Sequence, residues 1–269
     1  MLNDRKILFK DILNVPKKYS IDYYIAKEKF VLYGNLKSDD KKIFKDYVRK
    51  IQWCYRFRDE EIRIPPCFND MRRYGEVEII NIILKDENLS MSSKDDKFLN
   101  QDKKVERIVE LAFRLITFPQ LLIVQYKSYI RLFTTHLTVH MMDSSKRTID
   151  EIISTNWIDT KNIKDIEYTL FNNIQIDCLD HENMYEFYNG YVEEIIRYNG
   201  SLTSGGEIDL DIDRIKEIND EIEFLKKEIA QYTTKLKGES QQRLLRKFNN
   251  EIRLRRVKIK ELENELRGI

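Results

Sequence analysis

Glu78 and Lys85 bracket an isoleucine-rich run, with Asp59, Glu60 and Glu61 upstream. Carboxylates on neighbouring strands can hold Mg²⁺ while a lysine orients the attacking water, as in a restriction-type nuclease. That chemistry needs an acid two residues before the lysine. Here Ile83 stands two before Lys85 and Asn81 stands four before it, so neither supplies a charge for a metal. A nuclease built on Glu78 and Lys85 is therefore carried only as an alternative, with a diverged metal site. His136 and His140 are four apart with Asp143 behind them, but no glutamate lies between them in an HExxH arrangement. Polar histidines at a strand end account for them, and no metal or cofactor is expected. Asn81 is expected as a buried amide that hydrogen-bonds a neighbour. Phosphate loops of the GxxxxGK[ST] or GxGxxG type are absent. Cys54, Cys67 and Cys178 are too scattered for a disulfide framework or a zinc ladder.

Arg49, Lys50, Arg56 and Arg58 interleave with Trp53, Tyr55 and Phe57. Bases among aromatics can grip a phosphate backbone and stack on a nucleobase. The ordinary alternative is a helix with an aromatic core face and a wet basic face.

These residues need elements to hold them. The apolar spacing of Ile43, Phe44, Tyr47, Val48, Ile51, Cys54 and Tyr55 predicts one helix, capped by Ser38 with Asp39 and Asp40 in its first turn. Glu60–Pro65 reads as a short strand, and Val77–Leu84 as a central one, apolar on both faces. A charged loop over Ser90–Asp102 precedes a helix facing inward with Val105, Ile108, Val109, Ala112, Leu115 and Ile116. Leu121–Tyr126 and Tyr129–His136 form a hairpin around Lys127-Ser128, and helices near Asn162–Phe171 and Asn183–Tyr198 follow. This is an α+β fold with a mixed β-sheet of about four strands and packed helices.

Glycine and small polar residues cluster at 200–206, which predicts a flexible hinge between a globular domain over 1–199 and an arm over 207–269. In the arm, Ile218, Ile222, Leu225, Ile229, Tyr232 and Leu236 step by fours and threes. Leu245, Phe248, Ile252, Arg255, Ile259, Leu262 and Leu266 continue the seam after a turn near Gly238. Glu207–Leu236 carries nine acids and five bases, whereas Lys237–Ile269 carries ten bases and five acids. Opposite net charges favour an antiparallel coiled-coil helical hairpin within one chain. The same seam also suits pairing between two chains as a homo-oligomer.

Across 269 residues, 47 Lys+Arg balance 46 Asp+Glu, which argues against a uniformly basic nucleic-acid coat. No apolar run approaches membrane-spanning length, and Met1–Lys6 shows no signal-peptide pattern. The expectation is a soluble cytoplasmic protein.

Val15-Pro16-Lys17-Lys18, Ile51-Gln52-Trp53-Cys54-Tyr55, Ile62-Arg63-Ile64-Pro65 and Val77–Lys85, in this order, resemble the bacterial domain-of-unknown-function family DUF4391. Ser154-Thr155-Asn156-Trp157 and the Lys/Glu-rich tail ending at Leu266 are similar to it as well. The resemblance implies genomic company with DNA methyltransferase and helicase genes in restriction-like or anti-phage islands, and it implies no activity. Related sequences carry an acid where this chain has Asn81, and their longer Ile-Pro signature is reduced here to Phe118-Pro119. The expected role is a non-enzymatic adaptor subunit of a DNA-targeting defence complex. It would dock on a helicase or methyltransferase partner and contact nucleic acid.

Overall fold

The computed structural model of the chain describes residues 13–29, 36–86, 96–140 and 143–268. The amino-terminal Met1–Lys6 expectation and residues 90–95 of the expected Ser90–Asp102 loop lie outside them. The chain divides into two compact units between Ile195 and Ile196.

The first unit is built on a mixed sheet of seven strands, larger than the four that the sequence suggests. β1 (Ser20–Ile25), β2 (Val48–Arg58) and β5 (Glu76–Leu84) are antiparallel neighbours. β5 then pairs in parallel with β6 (Gln120–Tyr126), which pairs antiparallel with β7 (Tyr129–Thr134). Two short strands, β10 (Ile153–Ser154) and β11 (Ile158–Asp159), both pair with β7. Small two-stranded ribbons form outside the sheet, from β3 (Cys67–Phe68) with β4 (Arg73–Tyr74) and from β8 (Leu137–His140) with β9 (Asp143–Ile149). The short strands escape sequence reading because two residues show no period.

Parallel neighbours need a crossover, and α3 (Asp96–Leu115) supplies it. Its Val105, Ile108, Val109 and Ala112 cover Ile80, Ile82 and Leu84 of β5 and Leu122 and Val124 of β6. Asp96–Asp102 belongs to this helix rather than to the expected loop. On the opposite face, Phe57 of β2 meets Phe187 of α5 (Met184–Ser204) edge-on, with ring centroids 5.6 Å apart. Both faces of β5 are thus buried, as its continuous isoleucine run predicts.

Three local expectations change. The helix expected through Tyr55 ends at Tyr47: α1 spans Ser38–Tyr47, Lys37 rather than Ser38 occupies its N-cap, and Val48–Arg58 is strand. Val48, Ile51, Trp53, Tyr55 and Phe57 are β-branched or aromatic, and pairing on both sides outweighs a helical spacing that continues by chance. A β-bulge between Trp53 and Tyr55 breaks the alternation that would have disclosed the strand. Second, Glu60–Pro65 is no strand: Asp59–Ile62 makes one helical turn (α2), ended by Arg63 at φ 60°. Third, the Gly/Ser segment 200–206 is no open hinge, since α5 continues to Ser204. A Cβ on Gly200 would come within 2.7 Å of Ile208 Cδ1 and of the buried Ile215 Cγ2, so this glycine permits close packing. Only Gly205, at φ 79°, takes the left-handed conformation that ends the helix.

The expected helix near Asn162–Phe171 is α4 (Asp165–Asn173). In the second unit, α6 (Ile212–Lys237) and α7 (Gln242–Leu266) pack against each other within the chain. Arg214 meets Glu265, Glu228 meets Arg255 and Tyr232 meets Phe248, an order that only antiparallel helices allow.

Tyr188, fully buried, ties α5 to the sheet of the first unit. Its hydroxyl accepts from Thr135 N at 3.1 Å and lies 2.9 Å from the Thr135 carbonyl and 3.1 Å from that of Gln120. Tyr188→Phe leaves a buried N–H without its acceptor, and a loss of about 1–3 kcal/mol is expected. A lowered urea midpoint at unchanged slope is the signature to measure.

Candidate functional site

At the β5 amino-terminal end, the register sets Arg56, Glu78 and Gln120 side by side on the α3 face of three adjacent strands. Arg58 and Glu76 form the next rung outward, with both guanidinium groups 4.0 Å from Glu76 Oε2. Arg56 stacks 5.5 Å from the Trp53 ring centroid. Glu78 is 2% exposed and Gln120 fully buried, and the Oε1 of each lacks a hydrogen-bond partner.

Burial pushes the Glu78 carboxyl up to about 8; nearby Glu76 adds to the rise and Arg56 opposes it. At neutral pH Glu78 is therefore an acid carrying an O–H. A protonated carboxyl carries a donor O–H in a rung where Glu78 Oε1 and Gln120 Oε1 both lack a hydrogen-bond partner.

The expected partnership of Glu78 with Lys85 does not form. Seven residues of extended strand separate them by about 23 Å. Lys85 Nζ instead donates to the Lys45 carbonyl at 2.7 Å. The basic set also divides. Arg49 and Lys50 lie exposed at the start of β2, Lys50 over the Tyr24 ring, while Arg56 and Arg58 lie at the other end beside Glu76. They sit on strand rather than on a helix face, and they do not form one patch.

Asn81 has the expected buried-amide role. Its Nδ2 donates to Gln125 Oε1 at 3.3 Å, and its registered neighbour Gln52 donates to Asp22 Oδ1 at 3.1 Å. His136 bridges the Tyr74 hydroxyl (3.0 Å to Nδ1) and Asn189 Oδ1 (3.2 Å to Nε2), stacked on Tyr185. Both ring nitrogens are therefore committed to protein. Among the described residues, no group of three or more His, Cys, Asp and Glu side chains could hold a metal ion.

The second unit carries a feature that sequence arithmetic missed. Folding back brings the two ends of the arm together at the base and leaves its middle at the tip. The base, 207–223 with 261–267, holds eleven acids and three bases, a net of −8; the tip, 226–260, holds twelve bases and three acids, a net of +9. Charge is segregated more strongly along the hairpin than between its two halves, whose nets are −4 and +5. Of the seam residues, Ile218, Ile222, Ile252, Leu262 and Leu266 are buried. Leu225, Ile229, Tyr232, Leu236, Leu245, Phe248 and Ile259 are half-buried. Arg255 is the one charged seam position: it binds Glu228 in a bidentate pair (2.9 and 3.0 Å), reaches Glu251 at 2.6 Å and lies over Tyr232. These pairs and Arg214–Glu265 line one flank of the hairpin. Sequence charge counts per helix hide this arrangement, but counting by distance from the turn would have shown it.

The chain belongs to the family described as Domain of unknown function (DUF4391), whose model matches residues 13–266. No curated protein and no solved structure matches the chain.

Because folded Glu78 keeps a proton that the unfolded chain releases near 4.5, stability falls as pH rises from about 4.5 to 8, by up to about 1.4 kcal/mol per pH unit. Glu78→Gln keeps the shape without the titration. Its melting temperature should vary less between pH 5.5 and 8.5 than that of the parent; an unchanged pH slope would assign the dependence elsewhere.

Proposed function

We propose that this chain is a non-enzymatic accessory subunit of a bacterial DNA-targeting defence complex in the cytoplasm. It docks on a helicase or methyltransferase partner and contacts nucleic acid. The setting comes from the gene neighbourhoods that the family resemblance implies. The observation that carries the docking role is a set of large apolar side chains exposed on an otherwise charged hairpin: Phe224 (60% exposed), Leu254 (52%) and Val257 (51%).

The seam does not need these side chains, since it is filled by the a/d residues of both helices. Phe224 lies one turn from Glu228, and Leu254 one turn from Glu251. Helical neighbours three and four apart share a face, so both border the ion-paired flank. Val257 follows Leu254 by a further turn. Antiparallel order sets Phe224 level with residues near 256, so the three lie at similar height along the hairpin. Large apolar side chains exposed on a charged surface offer anchors for a partner. The separation of Glu78 from Lys85 by about 23 Å of strand speaks against the nuclease alternative.

Phe224→Asp with Leu254→Asp should abolish co-purification with the products of the adjacent helicase and methyltransferase genes. The melting temperature should stay within a few degrees of the parent, because neither side chain is in the seam. Retention of every partner would sink the docking role. Loss of a dimer in solution mass measurements, with the partners retained, would assign the patch to a second copy of the chain.

A further inference from the structure

We propose that the open flank of the hairpin tip, carrying Arg246, Arg253, Arg256 and Lys260, binds the phosphate backbone of duplex DNA without reading sequence. This deepens the accessory-subunit reading, on which it rests for its setting but not for its geometry.

The tip's three acids are all engaged. Glu228 and Glu251 both pair with Arg255, and Glu239 accepts from Ser240 N and Gln241 N at 2.8 Å where α7 begins. Of the surrounding cations, Lys226 pairs with Glu223 at 2.8 Å and Lys258 lies 3.8 Å from Glu261. Arg246, Arg253, Arg256 and Lys260 are exposed, and among the described residues none of them forms an ion pair; Arg253 makes only a 3.3 Å contact to Asn250 Oδ1. Their spacings of seven, three and four residues keep them within an arc of about 80° on α7, a row roughly 21 Å long. This arc faces away from the flank lined by Arg255–Glu228 and Arg214–Glu265.

A compact acidic ligand would engage one or two members of such a row. An extended file of cations instead suits a linear polyanion, and a duplex carries about one phosphate charge per 1.7 Å of axis, so several phosphates lie along the same 21 Å. Three of the four are arginines, whose planar forks bind phosphate oxygens in pairs. Contacts of this kind to phosphate oxygens position a duplex without reading its bases.

The test uses the full chain, a random-sequence DNA duplex and a salt titration of affinity. The parent protein should bind, with log K falling steeply against log salt. Converting Arg246, Arg253, Arg256 and Lys260 together to Gln should weaken binding at least 10-fold at low salt and reduce the salt slope by about 3–4. A matched variant with Lys227, Lys235, Lys247 and Lys258 converted to Gln removes the same charge elsewhere and should keep most of the affinity. Circular dichroism and melting establish that both variants keep the parent fold. Equal losses in the two variants would overturn the proposal by reducing it to net charge. So would row-dependent binding to phosphatidylserine vesicles equal to that for duplex. Absence of duplex binding by a parent that still captures its protein partners would overturn it and leave the docking role standing. Row-dependent duplex binding without partner capture would do the reverse.

Discussion

The parallel pairing of β5 with β6 is the constraint on which the first unit depends. Parallel neighbours cannot be joined by a tight turn, so some 35 residues intervene and α3 must return across one face. With α3 on that face and α5 on the other, β5 has no wet side, and its run of isoleucines follows. The same pairing brings Glu78 beside Gln120, and the burial that goes with it pushes the Glu78 carboxyl up to about 8. Isoleucine content, crossover and protonation state have one cause.

Much of this was legible in the sequence where elements were long and periodic. The isoleucine run marked the central strand, the inward positions of α3 were those the spacing named, and the arm's seam was complete before folding was considered. The failures are specific. Val48–Tyr55 continued a helical spacing into what is strand, because a bulge at Cys54 disrupts alternation and because sheet pairing is non-local. Gly200 looked like a hinge from composition alone. Its role in close packing depends on Ile208 and Ile215, which lie eight and fifteen residues further on.

Candidate chemistry was less legible than fold, for a geometric reason. Residues seven or eight apart are near one another on a helix and more than 20 Å apart on a strand. Once Val48–Arg58 and Glu76–Leu84 are strands, Glu78 parts from Lys85, and Arg49 and Lys50 from Arg56 and Arg58. What assembles instead is a rung across three strands, Arg56–Glu78–Gln120, whose members are separated by about twenty and forty residues in sequence. No spacing pattern announces such a rung. Register alone creates it.

The charge segregation of the hairpin has a consequence for how an encounter begins. Separated charges of −8 and +9 on one rigid body make a large electric moment directed along the helices. In the field of an approaching polyanion this moment exerts a torque before any contact is made, and it turns the positive end forward. Orientation is then selected during diffusion instead of searched for after collision. A chain whose charges nearly cancel in total can in this way still arrive pointing in a preferred direction.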